Sequence, residues 1–265
     1  MVKIYYSSDL HLDFNKEIDN RLFEKINDND SYLILAGDLC EIREENYKLI
    51  YNFFDIITLK FKNIIYISGN HEYHNSILSD NKIKEVISKY NNIYFLQNNF
   101  KEFEEDKVLF YGTTLWTDSS GDKLRDKYVE SIMYDYRYIY KNNNNLLTRE
   151  DTILLHRYNR NRLFDFLEDI KIEDKYTIII ISHHLPLLEL IHENYKDNLA
   201  NSAYASNLKE ELKKYNFDYW IAGHTHKTVN YELKLNNDKV AKFYVNPRGY
   251  NNDNKLYDEY KFIEA

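Results

Sequence analysis

The residues able to do chemistry lie in five short segments spread over most of the chain. They are Ser8-Asp9-Leu10-His11, Ala36-Gly37-Asp38, Ser68-Gly69-Asn70-His71-Glu72, Ser182-His183-His184 and Ala222-Gly223-His224-Thr225-His226. Carboxylate and imidazole together suit divalent transition metals better than calcium or magnesium. A carboxylate such as Asp38 can bridge two ions, and such a pair can activate water and clamp a phosphoryl group. Asp9/His11 and His224/His226 alternate, so each pair points into one cavity if the local chain is extended. Gly37, Gly69 and Gly223 precede candidate ligands, where a missing side chain permits a tight turn or close approach. Singly these pieces are weak, since Asp-x-His arises by chance and lone histidines are more often structural. The five together, each at the end of a predicted strand, are hard to ascribe to coincidence.

The elements that must position them are readable as short β-branched and aromatic runs between helical stretches. Strands are predicted over residues 3–7, 32–36, 64–68, 93–96, 108–113, 177–182, 219–222, 229–235 and 242–245. Several are apolar enough to be buried on both faces, as in a sheet covered by helices. Helical periodicity covers 17–27, 47–61, 80–89, 149–169 and 206–215, with Thr148 and Ser206 as N-caps of the last two. The first half alternates strand and helix and the end carries consecutive strands, which predicts α/β layering with two sheets. Ligand sites in open α/β sheets lie at the carboxyl ends of strands, where the five segments fall. Residues 118–140 carry charges and Tyr without a clean stripe and read as an insertion, and the Asn-rich 141–145 reads as a loop. No repeat or Pro- or Ser-rich linker is visible, so one domain over 1–265 is expected.

Composition narrows the partners. At 265 residues and 43% hydrophobic, the chain can bury an ample core. Its 26 Tyr and 14 Phe fit AT-rich codon usage without invoking a ligand surface. The net charge of −8 gives no long-range attraction for polyanions and argues against a dedicated nucleic-acid binder, although bound divalent cations could reverse the field locally. The lone Cys40 allows no intramolecular disulfide and fits a reducing compartment, with a small buried packing role. The first strand begins almost at once, which leaves no room for a signal peptide, and the longest fully apolar run, 178–181, is far too short for a bilayer. A soluble, cytoplasmic protein is expected.

The ordered set DLH, GDLCE, GNHE, SHH and GHTH, from Asp9 to His226, resembles the calcineurin-like metallophosphoesterase signature. The resemblance implies a four-layer αββα sandwich of two mixed β-sheets flanked by helices, with a helical or loop insertion around 118–147. It also implies two divalent metal ions. One would take Asp9, His11, Asp38 and His226, and the other Asp38, Asn70, His183 and His224. His71 would protonate the leaving oxygen, and a His beside a ligand Asn can reach the substrate without joining the metal shell. Glu72 would orient or tune that His. The donor set permits manganese foremost, and iron, zinc or nickel. The activity so implied is hydrolysis of a phosphomonoester or phosphodiester, on a small molecule or nucleotide, by metal-activated hydroxide. A weakly catalytic protein-binding scaffold and a nuclease are the alternatives, and oligomeric state is open.

Segments 112–118, 134–137 and 246–250 resemble a bacterial and phage-like branch of the same family, with roles left open. Arg137 and Arg248 could grip a substrate phosphate or equally form surface ion pairs. Trp116 reads as core, His184 as a neighbour of the ligands, and His156 as solvent-exposed on its helix. His74 and His192 have no readable role.

Overall fold

The computed structural model describes residues 1–14, 22–26, 28–170 and 176–265. In chain order the strands and helices are β1 (Lys3–Ser7), β2 (Asp28–Ala36), α1 (Tyr47–Ile57), β3 (Phe61–Ile67), β4 (Ser76–Ile77), α2 (Asn81–Ile87), β5 (Ile93–Phe95), β6 (Asn99–Phe103) and β7 (Val108–Thr113). There follow α3 (Lys123–Ile132), α4 (Asp135–Tyr138), β8 (Ile139–Asn142), β9 (Asn145–Leu146), α5 (Arg149–Asp169), β10 (Thr177–Ser182), α6 (Lys209–Leu212), β11 (Tyr219–Ala222), β12 (Val229–Lys234), β13 (Val240–Val245) and β14 (Phe262–Glu264).

Two mixed sheets form, in the orders β14-β1-β2-β3-β5 and β12-β13-β11-β10-β7-β6. In each, the central strands are parallel, while β14, β12 and β6 pair antiparallel at the edges. The apolar runs explain the stacking, because successive side chains on a strand face opposite ways. Tyr32, Ile34 and Ala36 of β2 meet Ile179 and Ile181 of β10 in a core between the two sheets. Leu33 and Leu35 face the other way, into a core shared with Ile50, Phe53, Phe54 and Ile57 of α1. That i, i+3, i+4, i+7 set is one face of a helix. Ile178 and Ile180 likewise pack against Leu163, Phe166 and Leu167 of α5. The result is the αββα sandwich, with a third, small sheet β4-β8-β9 beside it.

Several expectations need correction. Much of the expected helix 17–27 lies outside the described residues, and 22–25 form a turn. The helix expected over 47–61 stops at Ile57, because Phe61 already opens β3. Residues 139–146 are a short hairpin rather than a loop, turned around the Asn142 side chain, whose Oδ1 accepts from the backbone N of Asn144 and Asn145 at 3.1 Å each. Thr148 does cap α5, through a reciprocal capping box with Asp151. Ser206 caps nothing: α6 begins after Leu208, and the Ser206 hydroxyl accepts from Asp118 N at 3.0 Å.

Candidate metal centre

The carboxyl ends of β1, β2, β3, β10 and β11 open onto one floor, and backbone hydrogen bonds lace their loops together. Asp9 N donates to Gly37 O at 3.0 Å, His11 N to Asp38 O at 3.1 Å, and Gly223 N to His183 O at 3.0 Å. The end of β13 joins them, since Arg248 N donates to Ser8 O and Gly249 N to Asp9 O, both at 3.0 Å. Paired loops of this kind leave little freedom to the side chains they carry.

The local backbone differs from the expected extended one. Asp9, His11, Asp38, His224 and His226 all have φ between 41° and 72°, in the left-handed region. Non-glycine residues there carry strain of about 1–3 kcal/mol each and persist where the surroundings over-determine them. At the ends of β1, β2 and β11 convergence therefore comes from tight turns and not from alternation. Gly69 shows how tight these turns are: a Cβ there would lie 2.1 Å from Asp38 Oδ1 and 2.7 Å from His183 Nε2.

Donor atoms of Asp9, His11 and His226 lie within 4.8 Å of one another, as do those of His11, Asp38 and His71, and those of Asp38, His183 and His224. Asp38 thus belongs to two of the groups. The Nε2 atoms of His11 and His226 face each other at 3.0 Å. His183 Nε2 lies 3.3 Å from Asp38 Oδ2 and 3.1 Å from Asn70 Oδ1. The Nδ1–H of His183 donates to Ala36 O at 2.9 Å, which turns Nε2 into the site. The Asp9 carboxylate receives His224 N at 3.0 Å on each oxygen. All seven expected ligands are brought to this floor.

Electrostatics point the same way. Burial opposes ionisation of Asp38, yet the His183 and His71 imidazoles beside it hold its carboxyl well below the usual carboxylate range. Burial also opposes charging His183, but Asp38 and Asp9 raise it to about 10. Such a pocket stabilises a cation next to its carboxylates. His224 Nε2 is buried with no hydrogen-bond partner among the described residues. Facing ring nitrogens, a shared carboxylate and an orphaned imidazole nitrogen are the donor set that divalent transition metals take, so the residues fit the ions.

Around the floor, the expected supporting roles change hands. Glu72 does not reach the His71 ring. Its carboxylate accepts from Asp38 N at 3.0 Å, Leu39 N at 2.8 Å, Gly69 N at 2.8 Å and Tyr66 Oη at 2.9 Å. It therefore clamps two loops, and burial, with Asp38 nearby, pushes it up to about 7. The group beside His71 is Tyr250, whose hydroxyl lies 2.8 Å from His71 Nε2. Asn70 is oriented by Asp135 of α4: Asn70 Nδ2 donates to Asp135 Oδ1 at 2.7 Å, and His74 Nε2 lies 2.8 Å from the same oxygen.

Asp135 and Tyr250 were not recognised in the sequence, although both sit in segments singled out there without a role. His74 gains a role, as the partner of Asp135. His184 donates Nδ1–H to Thr114 O at 3.1 Å and stacks on Trp116, so both are buried supports. Cys40 is a buried packing residue.

His156 is not solvent-exposed. It is fully buried and donates Nδ1–H to Leu115 O at 3.0 Å. Arg137 is exposed, donates to Ser131 O and lies over the Tyr134 ring. Arg248 is buried at the end of β13, which excludes a surface ion pair. Neither arginine is among the described residues lining the cleft above the floor.

That cleft has a volume of about 420 Å³. Its walls are the end of α3 with Ile132, Met133 and Tyr134, and the segment from Ile191 to Tyr204. Arg149 ties α3 to the second wall, with Nε donating to Asp126 Oδ1 at 3.4 Å and Nη2 to Ser202 O at 3.1 Å.

The fold carries clusters of His and Asp that could hold metal ions, and comparison with known proteins supplies the family. The family model for calcineurin-like phosphoesterases matches residues 2–228, and the chain belongs to that family, whose members are hydrolases of phosphoesters. An uncharacterized protein of Acanthamoeba polyphaga mimivirus is 29% identical over 98% of this chain and 95% of its own length. Among solved structures, the phosphopantetheinyl hydrolase of Mycobacterium tuberculosis superposes with a TM-score of 0.66 at 16% identity, covering 94% of this chain and 89% of that one. The calcineurin-like phosphoesterase YfkN of Bacillus subtilis matches at 15% identity with a TM-score of 0.45, over 86% of this chain and 72% of that one. Among the described residues no helix is long and apolar enough to cross a membrane.

Proposed function

We propose that the chain, acting as one domain, hydrolyses phosphomonoester or phosphodiester bonds with two divalent cations. Asp9, His11, Asp38 and His226 would hold one, and Asp38, Asn70, His183 and His224 the other. Manganese is the first choice, with iron, zinc or nickel as alternatives. The observation that carries the reading is the Asp38 carboxylate, which shares close groups with His11 and His71 and with His183 and His224. When bound, the cations neutralise charge on the phosphoryl group and lower the pKa of water.

The chain's own residues do the rest. His71 is held down at about 4 chiefly by burial, with the imidazole of His74 acting the same way. A substrate phosphate beside it favours the imidazolium, which then gives its proton to the leaving oxygen. Tyr250 holds the ring by its hydroxyl, and Glu72 fixes the loops that carry Asp38 and Gly69.

The test is turnover of p-nitrophenyl phosphate, its bis-ester and an alkyl phosphate ester with each of the four metals, a phosphopantetheinyl ester included because the mycobacterial enzyme is named for that group. His71→Ala is expected to slow the alkyl ester by roughly 10²- to 10⁴-fold while retaining its metal. p-Nitrophenolate, which leaves without a proton, should suffer less. No turnover of any ester with any of the metals refutes the function, and an undiminished alkyl-ester rate in His71→Ala removes that residue from the mechanism.

A further inference from the structure

The cleft above the metal floor carries information about what fills it, and this inference rests on the function just proposed. Its tyrosines come from three places in the chain. Tyr250 and Tyr204 sit low, with ring centroids 4.3 Å from His11 and 4.9 Å from His224 respectively. Tyr134 and Tyr195 stand higher, one on each wall, and are 59% and 44% exposed. Both rings line one cleft and are largely in water, Tyr134 with Arg137 over it and Tyr138 beside it, and aromatic faces receive flat groups by stacking.

The polar side chains of the wall from Ile191 to Tyr204 are the His192 imidazole and two amides. Asn198 Oδ1 accepts from Ala200 N at 2.8 Å, which leaves its Nδ2 as a donor. Asn201 Nδ2 donates to Tyr195 O at 2.7 Å and Lys196 O at 2.9 Å, which leaves its Oδ1 as an acceptor. One donor and one acceptor match the edge of a nucleobase, which presents both. A cavity of this volume is the size that takes a compact small molecule rather than a polymer. Arg125, Arg160 and Lys196 line a neighbouring cleft that shares Ile191, Asn198 and Asn201 with this one, where Asp118, Glu189 and Asp197 offset their charge.

We infer that the cleft binds a nucleoside-type group, so that the substrate is a mononucleotide ester with its phosphate on the metal floor and its base between the Tyr134 and Tyr195 walls. The base adds stacking area and an amide-type edge, and the reacting phosphate sits where the cations and His71 converge.

A matched pair of diesters tests this directly. Thymidine 5′-(p-nitrophenyl phosphate) and methyl p-nitrophenyl phosphate share the reacting phosphodiester and leaving group and differ only in the nucleoside. With metal-loaded protein, kcat/KM is expected to favour the nucleoside ester by about tenfold or more, chiefly through KM, as base–aromatic stacking supplies. Tyr134→Ala and Tyr195→Ala should each reduce that ratio by about threefold or more. A second readout does not need turnover: calorimetric affinity of thymidine 5′-monophosphate against inorganic phosphate, in the same protein and in both variants. A ratio near one in the wild type, in turnover or in binding, overturns the inference, as does a preference that both alanine variants retain. Absence of turnover for every ester, with the binding preference intact, refutes the proposed hydrolysis and leaves the nucleoside site standing.

Discussion

Asp135 offers the sharpest test of how the insertion serves the metal floor. Its Oδ1 accepts from Asn70 Nδ2 at 2.7 Å, and His74 Nε2 lies 2.8 Å from the same atom. The carboxyl group is buried, and although burial opposes it, His74 and Asn70 hold it below the usual carboxylate range. His74 is raised despite burial by that same carboxylate, so the pair is charge-assisted. The bond from Asn70 has one geometric consequence: with Nδ2 engaged, Oδ1 faces His183 Nε2 at 3.1 Å. Asp135→Asn keeps the volume and removes the charge. A hydrogen bond to a charged group contributes about 1.5–3 kcal/mol, and loss of a group that orients a ligand weakens metal binding by about 10- to 100-fold, or about 1.4–2.7 kcal/mol. The two ranges overlap, so one cation position should weaken by that factor. The position without Asn70 should weaken less, since only the shared Asp38 carboxylate couples it to the change. Manganese titration by calorimetry, with elemental analysis after dialysis, resolves the two positions. A folded Asp135→Asn protein with two unchanged affinities would refute the claim that the insertion positions Asn70.

Three further outcomes follow from the same geometry. Tyr250→Phe removes the hydroxyl 2.8 Å from His71 Nε2; kcat on an alkyl ester should fall roughly three- to tenfold, matching one neutral hydrogen bond, and an unchanged kcat would show that the ring needs no such support. Gly69→Ala places a Cβ 2.1 Å from Asp38 Oδ1; about 1–3 kcal/mol of stability should be lost together with metal at both positions, whereas full metal content measured by elemental analysis counts against the tight-turn argument. His156 is held below the usual imidazole range by burial. The unfolded chain therefore binds the proton more readily, so the stability contributed is present above about pH 6.5 and is lost as pH falls below it, by at most about 1.4 kcal/mol per pH unit. His156→Gln should flatten the fall of Tm between pH 7 and pH 5, and parallel slopes in the two proteins would contradict the assignment.

How much of this was readable in advance depended on whether the cause was local. Strands β1, β7, β10 and β11 were legible to the residue because, Lys3 at the start of β1 apart, their positions are apolar or small and mostly buried on both faces. The ligand positions were legible for a related reason, since strand ends are where loops from several strands meet. Asp135 and Tyr250 were not, because their partners lie 65 and 179 residues away and leave no period in the sequence. Helix α3 showed no stripe because Val129 is its one buried residue, while Asp122 caps it by accepting from Leu124 N at 2.9 Å. His156 was misplaced for the opposite reason. Thr152, His156 and Asn159 do form a buried stripe, but a polar one, with His156 Nδ1 donating to Leu115 O and Asn159 Nδ2 to Thr113 Oγ1, both at 3.0 Å.

The expectation of extended backbone at Asp9/His11 and His224/His226 failed while its consequence, convergence on one cavity, held. Alternation would have required only a strand, which any sheet supplies. Left-handed turns at Asp9, His11, Asp38, His224 and His226 require something to hold them, and the strain of about 1–3 kcal/mol at each is too large to leave unopposed in a marginally stable fold. What holds them is on the same floor: Glu72 clamping Asp38 N, Leu39 N and Gly69 N, the Asp9 carboxylate receiving His224 N, and the backbone bonds between the loops after β1, β2 and β13. Those restraints are made by protein atoms alone. Cations bound by these ligands would add to the restraints and stabilise the fold by mass action in proportion to their affinity.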